Sequence, residues 1–491
     1  MTTGARGPRH GAPTGRGRTA VALAAGAGAT TLVVAVLGLP AGRILGVEDN
    51  GDGFRLFCGL GLVPRTVDRI AAWKGGVVTD FVLAPAPTCA ASAPSSAGLV
   101  LRAAVLGGRT LSLVTVAWWY AALVGLVVAV AAWAASASDL RRAAVLVVPV
   151  APLALPAFSR FFLSTYGEPA GLVGTLAVGC GVGALLVTGA EHRAARTVAL
   201  VLTGLGGAVT ATAKPAFVPV LVVAVAVCAV VTVGRRRPRR LVGPAVAVVT
   251  LLGAVVPLGA AVGFQDLAYE GANVHDVVFT LALPELGPGA TGELGLPPEA
   301  AAYAGNGYFN GPPHPTARWW SEAVVDRPDA TRAAALTALV DHPGALLRAV
   351  GVGLQATTRA DLPYLASGPG DPARLSPAGG DPGWSGARGP DLRRTLAATP
   401  RPPWLPTVLV LVAVLATASC PVWRRRAPAA ARWCVAAGLT AVAAVGLVVV
   451  AVLGDGWFEV FKHVWLAAYL LLVGGLCLLV AVGAAVARSR A

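Results

Sequence analysis

The 491-residue chain is 56% hydrophobic and only 13% charged, with a mean hydropathy of +0.70, which excludes a string of soluble domains. Apolar runs of membrane-spanning length recur along it, so the expected class is all-α and polytopic, with the lipid bilayer as its first partner. The net charge of +15 invites a nucleic-acid reading, but the arginines gather in short loops between apolar runs, and no nucleic-acid partner is expected.

In chain order, residues 1–18 read as a disordered basic tail. A membrane domain follows over 19–263, interrupted by an extracytoplasmic loop at 41–110. A second large extracytoplasmic loop covers 264–403, and the last membrane helices lie in 404–491. About ten spans are expected, near 19–40, 111–134, 143–158, 170–190, 196–213, 215–233, 241–263, 404–421, 431–453 and 463–487. The tail arginines, Arg141 and Arg142, Arg193 and Arg196, Arg235 to Arg240, Arg424 to Arg426, and Arg488 with Arg490 then share one side. By the positive-inside rule that side is cytoplasmic, with both termini on it, in a multi-pass protein of the cell membrane. The second loop is rich in Pro and Gly yet partly helical. In 341-DHPGALLRAVGVGLQA-356, Asp341 can cap, Pro343 sits in the first turn, and Leu346, Leu347, Val350 and Leu354 share a face.

The first loop opens with 48-EDNGDG-53. As a calcium loop it fails, because counting Glu48 as position one puts Gly59 where the closing Glu belongs. Two readings remain. Asn50-Gly51 and Asp52-Gly53 are turn pairs. Alternatively, three crowded acids raise a carboxylate pKa towards that of a general base, with Asp49 or Asp52 as the base and Glu48 beside them. Arg55 could balance the cluster or hold a phosphate. Of the seven cysteines, only Cys58 and Cys89 fall in extracytoplasmic sequence, both in this loop, and one disulfide is expected between them.

The remaining candidates follow at the same face. In 159-SRFFLSTYGEP-169, Tyr166 and Glu168 are either part of an interfacial aromatic belt with Phe161 and Phe162 or a site for sugar hydroxyls. Lysine occurs only at Lys74, Lys214 and Lys462. Lys214 either snorkels or faces a lipid phosphate. In 454-GDGWFEVFKH-463, Glu459, Lys462 and His463 share a helical face, as a surface ion pair or as a phosphate clamp made by Lys462 and His463. His275, among the aromatics and amides of 270–287 and 294–310, fits a saccharide-binding surface. No His or Cys spacing suits a metal site, and neither a P-loop nor G-x-S-x-G occurs.

The segments 49-DNGDGFR-55, 59-GLGLVP-64, 294-LGLPPEAAAYAG-305 and 454-GDGWFEVFKH-463, with the loop layout, resemble the GT-C superfamily of polytopic glycosyltransferases, and more closely the bacterial hexosyltransferases of cell-surface glycan synthesis. The resemblance implies a GT-C-like bundle and a hexose donor linked to polyprenyl phosphate. A hydroxyl of a glycan or glycoconjugate acceptor would attack that donor on the extracytoplasmic face, with a first-loop acid, Asp49 or Asp52, as base. No cofactor is implied beyond the polyprenyl-phosphate sugar donor, and the acidic mouth leaves room for a divalent cation. The competing readings are a transporter or flippase of lipid-linked sugars, a glycan ligase or polymerase, and a noncatalytic scaffold.

Overall fold

The computed structural model describes residues 15–41, 52–65, 79–83, 93–106, 108–234, 240–308, 317–360, 362, 396 and 401–489. It is an all-α integral membrane protein with one small sheet. Seven of the described helices are long and apolar enough to cross a membrane, or nine if each of two bent pairs is one span. The expected ten is reached only by adding the shorter apolar helix Pro215–Val230.

Helix α1 (Gly15–Leu37) leads to the short α2 (Asp52–Cys58), whose Leu56, Phe57 and Cys58 are buried. A three-stranded antiparallel sheet that the sequence reading missed follows, in the order β1 (Leu62–Pro64), β2 (Asp80–Leu83), β3 (Thr110–Ser112). Its register pairs Val63 with Val82 and Phe81 with Leu111. Phe81 lies 4.8 Å from the Phe57 ring and so fixes α2 on the sheet. Between the second and third strands runs α3 (Ala97–Val105). Ser112 then caps α4 (Leu113–Ala135), accepting from the Thr115 amide at 3.1 Å. Helices α1 and α4 pack antiparallel, and Thr30 Oγ1 donates to the Ala121 carbonyl.

The span expected at 143–158 is bent by 77°, between 140–154 and 156–163. Pro149, Pro152 and Pro156 remove donors there, and the chain winds through 3-10 turns. The last span repairs the break: Trp465 Nε1 donates to Ala157 O at 2.8 Å and the Tyr469 hydroxyl to Pro149 O at 2.6 Å. Of the two readings of 159–169 the interfacial belt does not hold, since Phe161, Phe162 and Tyr166 are fully buried, with Phe161 against Trp465 and Phe162 stacked on Tyr120.

Helices α5 (Glu168–Val187) and α6 (Arg193–Ala213) form the tightest pair in the bundle. Their backbones touch at Gly174 and Gly206, where a Cβ on either would stand 2.6 Å from the other's carbonyl oxygen. After α7 (Val218–Val230) comes α8 (Val242–Asp276), which runs well beyond the expected end at 263, so the second loop begins with helix. A π-helical stretch, Val277–Ala282, continues it. Helix α9 (Pro328–Asp341) is followed directly by α10 (Pro343–Ala356). Asp341 therefore closes one helix instead of capping the next, where His342 stands at the N-cap. The buried face of α10 combines the expected Leu354 with Val352 and the small residues Ala345, Ala349 and Gly353, while Leu347 is 72% exposed. The bundle is completed by α11 (Leu405–Ala418), α12 (Pro428–Asp455) and α13 (Trp465–Ser489).

The arginines of one end are anchored on carbonyls. Arg18 Nη2 donates to Trp133 O at 2.9 Å, Arg196 Nη1 to Thr188 O at 2.6 Å, and Arg432 Nη1 to Leu186 O at 2.5 Å. Arg142 bonds Val187 O. These four arginines thus share one end of the bundle, and the ends of α6 and α12 with the starts of α2 and α5 meet at the other.

Candidate active site

At that second end, five side chains from distant parts of the chain form an alternating ladder of charge. Glu168 Oε1 lies 3.1 Å from Lys214 Nζ, and Lys214 Nζ lies 3.8 Å from Asp52 Oδ2. The same Asp52 oxygen is 2.8 Å from Lys462 Nζ, which is 2.7 Å from Glu459 Oε2.

Local sequence explains each placement. Lys214 precedes Pro215, whose ring disfavours a helical residue before it, and Lys214 is extended (φ −155°, ψ 130°) and ends α6. Glu168 opens α5, where the helix dipole favours an acid. Gly167 lets the two ends meet, since a Cβ there would stand 2.6 Å from Ala213 O. Ser95 Oγ also donates to Ala213 O, at 2.8 Å, and draws the start of α3 onto the same point. Glu459 adopts a left-handed backbone (φ +46°), a strained conformation for a residue with a side chain, and the following turn Val460–His463 presents Lys462 inward. Gly456, at φ +59°, makes that turn, because a Cβ would fall 2.3 Å from Thr280 Oγ1 and 2.4 Å from Asp276 O.

Asp52 and Lys214 border an open cleft whose wall also includes Arg55, Ser95, Gln265 and Tyr269. The Tyr269 hydroxyl donates to Asp52 Oδ1 at 3.1 Å, and the Arg55 guanidinium stacks 3.6 Å from the Tyr269 ring centroid. Burial pushes the Asp52 carboxyl up, but Lys462 and Lys214 outweigh it and hold the group well below the usual carboxylate range. The expectation that neighbouring acids would raise this carboxyl is therefore corrected, because its close partners are ammonium groups. Burial lowers the Lys214 ammonium, yet Glu168 and Asp52 more than offset this and leave it raised. Glu48 and Asp49 lie outside the described residues.

Two expectations for the 454–463 segment change as well. The Lys462 side chain has no exposure and is spent on Asp52 and Glu459, with the Tyr166 ring 5.4 Å away, so it is not presented to an incoming phosphate. Burial, with Lys214 and Lys462 nearby, holds His463 well below the ordinary histidine range. Its Nδ1 lies 3.1 Å from Asp455 Oδ2. Among the described residues, the cations facing the cleft are Lys214 and Arg55.

His275 is wholly buried: Trp320 Nε1 donates to its Nδ1 at 3.0 Å, and its Nε2 lies 3.0 Å from the Asn306 carbonyl. Accepting on Nδ1 leaves the proton on Nε2, so the ring is a fixed neutral link with neither nitrogen directed at a ligand. The aromatics expected to form a saccharide surface pack on one another around it, Phe279 at 4.6 Å and Tyr308 at 5.7 Å. This layer supports the ladder from behind, since the Trp457 amide donates to Thr280 Oγ1 at 2.8 Å. Cys58 is disulfide-bonded; its expected partner Cys89 lies outside the described residues. Among the described residues no three His, Cys, Asp or Glu side chains are arranged to hold a metal ion.

Sequence reasoning missed Tyr269 and Gln265, which were assigned to a loop. Their four-residue spacing in 264-FQDLAYEGANVHD-276 puts both on one face once the segment is helical.

The family described as YfdI N-terminal transmembrane domain matches residues 18–367. No curated protein and no solved structure matches the chain.

Proposed function

The chain belongs to the YfdI N-terminal transmembrane family, and from that premise we propose that it is a membrane glycosyltransferase. It moves a hexose from a polyprenyl-phosphate donor to a glycan or glycoconjugate acceptor at the extracytoplasmic face of the cell membrane. The observation that carries this reading is the cleft where Asp52, Lys214 and Arg55 meet at a helix-end surface of the bundle. The arginine-anchored opposite end supports this orientation, because basic loops tend to stay cytoplasmic.

In the reaction, Asp52 takes the proton of the acceptor hydroxyl as that oxygen bonds to the anomeric carbon. The bond from that carbon to the phosphate oxygen breaks, and its electron pair leaves with polyprenyl phosphate. The leaving group gains a negative charge, which Lys214 and Arg55 are placed to stabilise. Glu168 holds Lys214, and Lys462 with Glu459 holds Asp52. An incoming phosphate also competes for Lys214, the more distant of the two lysines on Asp52, and so raises the basicity of Asp52 as the donor binds. The transporter reading fits less well, because the ladder sits where helices end and transport sites lie near the bilayer midplane between broken helices.

The test uses the full chain reconstituted in vesicles, with radiolabelled polyprenyl-phosphate hexose and an octyl hexoside as acceptor. Acceptor-dependent release of polyprenyl phosphate is expected, and Asp52→Asn should lose it by about 10²–10⁴-fold. Movement of intact donor across the bilayer without acceptor-dependent release would sink the reading in favour of a flippase.

A further inference from the structure

In the proposed transfer the attacking hydroxyl donates its proton to one of the two oxygens of Asp52. Oδ2 is committed to Lys462 at 2.8 Å, with Lys214 at 3.8 Å. Oδ1 accepts the Tyr269 hydroxyl at 3.1 Å and, among the described residues, makes no other hydrogen bond. Tyr269 stands in the cleft wall, so its phenol fills the position that an acceptor alcohol has to take. Its ring is held there by the Arg55 guanidinium at 3.6 Å.

Resting on the glycosyl-transfer reading, we propose that the Tyr269 hydroxyl is a placeholder for the acceptor, keeping Asp52 Oδ1 closed to water until an acceptor sugar displaces it. Water and acceptor compete unequally for that position. An acceptor brings binding energy from the rest of its sugar, which can offset the loss of the phenol's hydrogen bond, whereas a water molecule brings none. The residue thus sets the partition between transfer and wasteful hydrolysis. In hydrolysis, Asp52 takes a proton from water, the water oxygen bonds to the anomeric carbon, and free hexose leaves with polyprenyl phosphate as the other product.

Tyr269→Phe isolates the hydroxyl, because it keeps the ring that stacks on Arg55. The assay follows free radiolabelled hexose and glycosylated octyl hexoside in parallel, in the same vesicles. Hydrolysis without acceptor should rise by about tenfold, the scale of one hydrogen bond to a charged group. The ratio of hydrolysis to transfer at saturating acceptor should rise with it, with acceptor KM unchanged or lower. Unchanged hydrolysis in Tyr269→Phe, or hydrolysis and transfer falling together, overturns the proposal. Failure of the glycosyl-transfer reading is distinguishable, as absence of donor consumption by the wild-type chain.

Discussion

Lys462→Met tests how the candidate base is controlled. Lys462 has no exposure and lies 2.8 Å from Asp52 and 2.7 Å from Glu459, so methionine fills most of its volume while leaving two carboxylates without their shared cation. Asp52 is held well below the ordinary carboxylate range although burial acts to raise it, and Lys462 is the larger of the two lysine contributions. Removing a cation at contact distance moves a carboxyl pKa up by about 1–3 pH units. A depressed carboxyl contributes stability above its unfolded pKa of about 3.9, and that contribution is lost as pH falls through the folded value. In the variant this loss, and the acid limb of kcat/KM, should both begin at higher pH. The assay is the pH profile of acceptor-dependent polyprenyl-phosphate release. The donor is a phosphodiester that keeps a single charge over the acid range, so the limb reports the protein. Breaking a buried pair typically costs about 3–5 kcal/mol, and partial exposure of Asp52 places the expected loss near the lower figure. An acid limb in Lys462→Met that superimposes on wild type would refute the assignment of Asp52 as a base tuned by Lys462.

Lys214→Gln should raise the donor KM by about 10–100-fold and leave the acceptor KM unchanged, as expected for one charge-assisted contact to phosphate, read from initial rates with each substrate varied. Gly456→Ala should lower stability by about 2 kcal/mol or more, because it forces a side chain into a left-handed backbone against Thr280 and Asp276; thermal unfolding in detergent measures it. Reducing agent should lower the wild-type Tm, consistent with about 2–5 kcal/mol for a lost disulfide, and should have no effect on Cys58→Ser, which starts from the lower value.

The membrane architecture was legible because the bilayer fixes it: a run of apolar residues of spanning length has few other fates. What sequence misjudged were segments whose composition and backbone disagree. Residues 264–276 are polar enough to read as a loop but continue α8, where Gln265 and Tyr269 line the cleft. The apolar run 143–158 reads as one span, yet its prolines bend it by 77°. The sheet escaped notice because its strands are only three or four residues long, too short for alternation to register.

The candidate site was legible in its parts, and its electrostatics were inverted. Within 48-EDNGDG-53 the only visible neighbours of Asp52 are other acids, so local reasoning gives a raised carboxyl. The partners that decide its state are Lys462, 410 residues away, and Lys214, and both arrive only because helix ends converge. The rarity of lysine did mark both residues, since an arginine-rich chain that keeps lysine at two helix ends is placing a compact cation there. Rarity could not say that one lysine is committed inside while the other faces the cleft. That division matters for the chemistry. The buried Lys462 holds Asp52 from inside the bundle, whereas Lys214, shared between Glu168 and Asp52 and open to the cleft, is the cation whose allegiance the donor of the proposed transfer would change.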